Sequence, residues 1–138
     1  MNETPNEPAW VEERAKCELK PAFASLQSAV ERDVAEYNAI FKTIGNSGIA
    51  LQNSAAHLDF SVYRKGELDG LVTFGVVGDH IAVRDPWSVK TFDAIPVLTK
   101  DGRCVFRVSA EEIEQWQLRR NALEGLFFGP SHHQYITG

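Results

Sequence analysis

Two short segments contain side chains that could bind or transform a small molecule. The first is Asp79-His80, and the second, four residues further on, contains Arg84 and Trp87. An imidazole that titrates near neutrality can act as a general base, and a guanidinium beside an indole ring can hold an anion or stack on a ring. The same stretches are rich in Gly-Asp and Asp-Pro, which form turns. A purely structural role for both segments therefore stays open beside a ligand site.

A small-molecule site would draw further side chains from neighbouring strands. Strand alternation directs Tyr63 and Arg107 to the same sheet face as Arg84. One hypothesis is therefore a small-molecule binding protein or enzyme with a pocket at the sheet edge. Its predicted ligand-binding residues are Tyr63, His80, Arg84, Trp87 and Arg107. No phosphate loop, dinucleotide-binding glycine pattern, nucleophile elbow or HExxH motif occurs, so no cofactor and no catalytic residue are predicted.

The other histidines give weaker indications. His57, Asp59 and Ser61 alternate onto one strand face, but polar residues at this spacing are also typical of any solvated strand. His132 and His133 are adjacent, which seldom directs both imidazoles to one ion, and no carboxylate lies nearby in sequence. We therefore predict neither a catalytic dyad nor a metal site.

Three amphipathic segments are predicted to be helices. Apolar residues recur every three or four positions over residues 23–44, the strongest helical pattern in the chain. A short helix over residues 9–19 precedes it and must end or bend before Pro21, whose ring clashes with the preceding turn. Ser109 and Glu112 have the spacing of a capping box, which predicts that the last helix begins there.

Between the helices the apolar period changes from 3.6 to 2, which indicates strands. Alternation is clear over residues 58–63, 72–76 and 104–108, and weaker over 81–85 and 89–95. Short turns containing glycine and aspartate separate these segments, so neighbouring strands should pair antiparallel. The sequence thus predicts a two-layer α+β fold: an N-terminal amphipathic helix, a four- or five-stranded antiparallel meander and a C-terminal helix, with both helices on one sheet face.

This architecture divides the chain into a core, an open face and two tails. Residues 9–129 form the predicted single domain, residues 1–8 a disordered tail and residues 130–138 a loose tail. The predicted core consists of Phe23, Leu26, Val30, Val34, Tyr37, Phe60, Val62, Val72, Phe74, Ile81, Val83, Phe106, Trp116 and Leu123. The open face is expected to present Asp59, Ser61, Tyr63, Thr73, Arg84, Val105 and Arg107.

Charge and cysteine content exclude several classes of protein. The 138 residues contain 14 Lys and Arg against 19 Asp and Glu, with no basic run, which argues against nucleic-acid binding. No apolar run is long enough to cross a membrane. Cys17 and Cys104 show neither metal-ligand nor CxxC spacing, so we expect reduced thiols in a cytoplasmic protein.

The segment 123–128 supports a different function. Its four large apolar residues cannot all face one core from a single helix, so some must pack elsewhere. The predicted partner-binding residues are Leu123, Leu126, Phe127 and Phe128. In size and acidity the chain is similar to small acidic secretion chaperones and toxin-neutralising immunity proteins, a similarity of bulk properties that implies partner binding. The leading hypothesis is a non-enzymatic protein-interaction module that holds a protein partner or a second copy of itself.

Overall fold

The helices and strands alternate as the periodicities predict, with more strands than expected. The computed structural model describes residues 9–41, 48–54, 58–66, 70–85 and 90–129. His57, Trp87, His132 and His133, and both predicted tails, lie outside these residues. The elements are α1 (Trp10–Lys16), α2 (Leu19–Ile40), β1 (Ile49–Asn53), β2 (Asp59–Arg64), β3 (Leu71–Val77), β4 (His80–Asp85), β5 (Lys90–Leu98), β6 (Cys104–Val108), β7 (Glu111–Ile113) and α3 (Gln115–Phe128).

The strands form one open antiparallel sheet in which every strand pairs with its neighbours in the chain. The order is β1-β2-β3-β4-β5-β6-β7, so β4 is central and β1 and β7 are the edges. The predicted two-layer α+β fold is confirmed, but the sheet has seven strands rather than four or five. The strands beyond the expected number lie at the edges. Ile49 and Leu51 already suggested β1 as an optional first strand, whereas the three residues of β7 are too few for a recognisable alternation.

The region expected to begin the last helix is a hairpin instead. Val108 pairs with Glu111, so Ser109 and Ala110 are the two-residue connection between β6 and β7. Ser109 adopts a positive φ of 56°, a left-handed conformation that suits such a tight turn and not a helix N-cap. The capping box forms further along the chain, where Glu114 and Gln117 bond each other's backbone N–H groups. The predicted start of α3 at Ser109 is therefore wrong.

The two long helices lie side by side and run in the same direction over one face of the sheet. Successive contacts join Gln115 to Ser25, Arg119 to Asp33 and Phe127 to Tyr37. Pro21 lies in the first turn of α2, where a missing N–H costs no helical hydrogen bond. Among the described residues no helix is both long enough and apolar enough to cross a membrane.

The core fills the space between this helix layer and the sheet, largely as predicted. Twelve of the predicted core residues are buried, and Tyr37 packs half-buried against them. Trp116 was also placed in the core, but its exposed fraction is 51%. Leu118 takes the buried position instead, two residues further along and so about 200° around the helix axis.

The two cysteines are bonded to each other, which makes the expectation of reduced thiols wrong. Cys17, immediately after α1, and Cys104, the first residue of β6, form a disulfide with a Cα–Cα distance of 5.5 Å. Their separation of 87 residues left no spacing pattern to recognise. The bond ties the junction of α1 and α2 to the sheet.

Two sets of polar contacts attach the C-terminal ends of α2 and α3 to strands of the sheet. The Asn38 side chain donates to the Ile49 carbonyl oxygen at 2.8 Å and accepts from the Ile49 N–H at 3.0 Å, which joins α2 to the edge strand β1. Arg64, on β2, donates to the carbonyl oxygens of Leu126 and Phe127. Because helix C-termini carry unpaired carbonyls and partial negative charge, this guanidinium stabilises the end of α3.

Candidate functional site

The C-terminal half of α2 and the adjacent side of α3 line an apolar groove of about 410 Å³ between the two helices. Its apolar wall and floor consist of Tyr37, Ile40, Phe41, Trp116, Leu123, Phe127 and Phe128. Its charged rim consists of Asp33, Glu36, Arg119, Arg120 and Glu124. We refer to this site as the α2/α3 groove. It opens to solvent on the side of the helix layer that faces away from the sheet.

Four aromatic rings hold the closed end of the α2/α3 groove together. The ring of Tyr37 lies with its centroid 4.6 Å from that of Phe41, 5.0 Å from that of Phe127 and 5.6 Å from that of Phe128. The tilted and edge-on angles are those that aromatic quadrupoles favour. Phe127 is only 8% exposed and forms floor, whereas Phe128 is 65% exposed and forms wall.

The four predicted partner-binding residues do not share one environment. Leu123 and Phe127 belong to the core and the floor of the groove, so only their outer edges could touch a partner. Leu126 lies on another side of α3, where a Cβ at Gly70 would come within 3.2 Å of its side chain. Phe128 is the one member of the set that is exposed beside the groove. Of the four residues, Phe128 therefore offers a partner the largest accessible surface beside the groove.

Sequence reasoning missed the other half of the groove. Tyr37 was assigned to the core and Trp116 likewise, and Ile40 lies beside the apolar stripe of α2 rather than on it. Ile40 is exposed, as an off-stripe apolar residue should be. Such a residue near the end of a helix is the signal in the sequence that could have extended the predicted surface from α3 to α2.

Most charges on the rim already have partners. Arg119 donates to Asp33 at 2.6 Å across the two helices, and both side chains are largely buried. Arg120 and Glu124 pair at 3.3 Å along α3. Glu36 is exposed and has no ion pair with any residue that the structure describes. The rim therefore offers one uncompensated carboxylate next to an apolar floor.

The open face of the sheet carries a second, shallower depression of about 580 Å³. Gly75 and Ala82, paired across β3 and β4, form its floor, with Asp59 on one side and Arg84 on the other. A Cβ at Gly75 would lie 3.3 Å from the Cβ of Asp59, so the floor depends on glycine. Polar and apolar atoms line this depression about equally, unlike the α2/α3 groove.

The His80 imidazole lies between two carboxylates. Its Nδ1 is 3.2 Å from Asp79, and its Nε2 is 3.5 Å from Asp93, whose Oδ1 also accepts from Arg84 at 3.3 Å. The hydrogen bond from His80 lowers the pKa of the Asp79 carboxyl below its usual value.

Among the described residues, the polar contacts of His80 are to carboxylates and none is to a hydroxyl group. On this face Ser61 and Thr73 bond each other at 3.2 Å, and Tyr63 and Thr91 carry the further hydroxyls.

The predicted ligand-binding residues share a face but not a cavity. Register places Tyr63, His80, Arg84 and Arg107 on the open face, on β2, β4 and β6. Of these only Arg84 lines the depression, and Arg107 pairs with Glu112 at 3.0 Å. His80 and Arg84 belong to the central strand rather than to an edge strand.

Val105 was expected to be presented on this face, but it is buried. In the parts of the chain that the structure describes, no three His, Cys, Asp or Glu side chains converge as metal ligands.

Comparisons of this chain with protein-family models, with curated proteins and with solved structures find no match.

Proposed function

We propose that this protein is an interaction module that binds a polypeptide in the α2/α3 groove. The observation that carries the proposal is the exposure of Phe128, Trp116 and Ile40 around a floor of aromatic rings. Large apolar side chains that rim a groove and stay in water mark interaction sites, because their burial by a partner releases free energy in proportion to area. Aromatic residues in such positions supply much of the binding energy at protein interfaces.

The polar rim favours a polypeptide over a small apolar ligand. Asp33 pairs with Arg119 and Arg120 pairs with Glu124 within the protein, so a partner that covers them leaves none of these charges without a counter-charge. The buried Nε of Arg119 has no hydrogen-bond partner among the described residues. A groove between two parallel helices is the surface that an amphipathic helix of a partner occupies in helix-in-groove recognition. The proposed contact therefore buries ring surface at its centre and leaves charges at its edge.

A site-specific cross-linking experiment tests this proposal. A photoreactive amino acid at Ile40, in the groove, is compared with the same amino acid at Thr91, exposed on the opposite side of the sheet. In cells that naturally produce the protein, we expect a discrete adduct from position 40 and none from position 91. Adducts of equal yield at both positions would contradict a specific site.

A charge introduced at the groove wall supplies the matched control. Phe128→Asp should abolish the position-40 adduct while the far-ultraviolet circular dichroism stays unchanged, because this side chain is largely in water already. An adduct that survives Phe128→Asp would show that the polypeptide binds elsewhere. Phe127→Asp is unsuitable here, because that ring belongs to the core.

The open-face depression favours a second candidate function, binding of a small polar molecule. Its floor of Gly75 and Ala82 leaves room between a carboxylate and a guanidinium, a combination suited to a ligand that carries both charges. A panel of metabolites can be screened by thermal shift with the wild type, with Arg84→Gln and with Arg107→Gln, an open-face arginine outside the depression. Binding lost only in Arg84→Gln supports this function, and a panel without any binder counts against it.

A further inference from the structure

A second exposed apolar surface lies at the other end of α2. It belongs to α1, in which no residue is buried and whose Trp10 is 62% exposed beside the equally exposed Val11. An indole ring and an aliphatic side chain left together in water form a projecting apolar knob. Among the described residues, this knob and the α2/α3 groove are thus two apolar surfaces of opposite shape that no other part of the chain covers.

A disulfide ties the end of α1 to the sheet although no residue of α1 is buried. Cys17, immediately after α1, is buried and bonded to Cys104 of β6, so the C-terminal end of the helix is tied to the sheet. The backbone N–H of Cys17 also donates to the carbonyl oxygens of Glu13 and Arg14, which joins this residue to the last turn of α1. A helix that is tied to the sheet at one end while its apolar side chains face solvent is well suited to project them into another molecule.

We propose that the occupant of the α2/α3 groove is α1 of a second copy of this chain. The assembly would be a two-fold dimer in which each copy inserts its Trp10 and Val11 into the groove of the other. This inference rests on the proposed function, since it names the polypeptide that the groove binds. It explains both exposed apolar surfaces with one contact made twice.

The positions of the two surfaces suit a closed dimer. The knob lies at the N-terminal end of α2 and the groove along its C-terminal half, and the 22 residues of α2 span about 33 Å. A two-fold axis perpendicular to α2 near its middle brings each knob to the partner's groove at the same time. Such an arrangement closes on itself and leaves neither surface free to add further copies.

Charge complements shape at this contact. Arg14 follows Trp10 by four residues and so lies on the same side of α1. Its pairing in the monomer is with Glu18, an exposed ion pair of the kind that contributes little. Glu36 on the groove rim has no ion pair among the described residues. In the proposed dimer the insertion of Trp10 places Arg14 of one copy near Glu36 of the other.

Sedimentation equilibrium of the purified oxidised protein tests the dimer directly. We expect the wild type to dimerise, and Trp10→Asp and Phe128→Asp each to raise the dimer dissociation constant roughly thirtyfold or more, as truncated interface anchors do. Val77→Ser, a change at an apolar residue exposed on the open face, is the matched control and should leave the constant unchanged. A protein that stays monomeric up to millimolar concentration overturns the inference.

Mixing the two defective variants distinguishes this dimer from any other. The Phe128→Asp copy keeps its knob and the Trp10→Asp copy keeps its groove, so the mixture should form a heterodimer through one intact contact, more tightly than either variant pairs with itself. A dimer built groove against groove would be insensitive to Trp10→Asp and would gain nothing on mixing, and either result overturns the inference.

A charge exchange provides an independent test. Arg14→Glu should weaken the dimer by repulsion from Glu36, and the double variant Arg14→Glu/Glu36→Arg should restore it. A double variant as weak as the single ones would contradict the proposed alignment. A monomer that still gives the position-40 adduct with another protein overturns the dimer alone and leaves the proposed function standing.

Discussion

The two faces of the sheet are built from the same alternating strands and differ in what covers them. On the helix-covered face Phe60 and Phe74 stack with their ring centroids 4.7 Å apart and are fully buried. On the open face the neighbouring Ser61 and Thr73 hydrogen-bond each other in partial contact with water. For these two cross-strand pairs, alternation determines which residues lie in the core. A further apolar cluster, that of Ile40, Trp116 and Phe128, is exposed on neither face but between the helices, which alternation does not describe.

The largest expected effect comes from the covered face. Phe74→Ala should lower the free energy of unfolding by about 3–5 kcal/mol, because it removes a fully buried ring and leaves a cavity. Thr73→Ala, one residue away on the same strand, should cost less than about 1 kcal/mol, since it loses one half-exposed hydrogen bond. Urea unfolding of both variants measures the difference, and equal costs would break the contrast between the faces.

The next effect concerns the bond that holds α1 to the sheet. The double variant Cys17→Ser/Cys104→Ser should lose about 2–4 kcal/mol of stability, because the unfolded chain regains the freedom of a long closed loop. Urea unfolding of the oxidised protein, of the reduced protein and of the variant gives the comparison. Reduction should reproduce the loss, and a variant as stable as the oxidised wild type would show that the bond does not constrain the chain.

A smaller effect is expected where α2 meets the edge strand. Asn38→Ala leaves the N–H and carbonyl of Ile49 without their side-chain partner, which should cost about 1–3 kcal/mol. Hydrogen exchange at the Ile49 amide should accelerate more than exchange in β4 at the centre of the sheet. A uniform acceleration would mean that α2 does not protect β1 locally.

The smallest effect tests the polar cluster on the open face. His80→Ala removes the hydrogen bond that lowers the Asp79 pKa, so that pKa should rise toward its usual value in an NMR titration. A carboxyl with a lowered folded-state pKa contributes stability above its unfolded pKa and loses it as the pH falls through the folded value. His80→Ala should shift the titration of Asp79, and because Asp79 is exposed, this change in its pKa should itself alter the stability at neutral pH very little.

The sequence predicted what depends on local periodicity and missed what depends on how elements meet. The apolar stripe of α2 correctly placed Leu26 in the core. The alternation of the strands did the same for Phe60, Phe74, Ile81 and Phe106. The predicted start of α3 was wrong because Ser109 and Glu112 have the spacing of a capping box, but in the folded chain Val108 and Glu111 pair as neighbouring strands instead.

The candidate site was only half visible for the same reason. Phe128 could be singled out because its helix carries more apolar residues than one core can accept. Trp116 and Ile40 could not be joined to it, because that needs the parallel packing of α2 and α3. The disulfide was likewise unreadable, since its two residues meet only when α1 lies against β6.

The bond between Cys17 and Cys104 also makes most of the protein a covalent ring. The ring runs from the end of α1 through α2 and the first five strands to the start of β6. A protease that cuts the backbone once anywhere inside it produces two fragments that still migrate as one species on a non-reducing gel. They separate only after a reductant is added, so a nicked molecule keeps both halves of its sheet together.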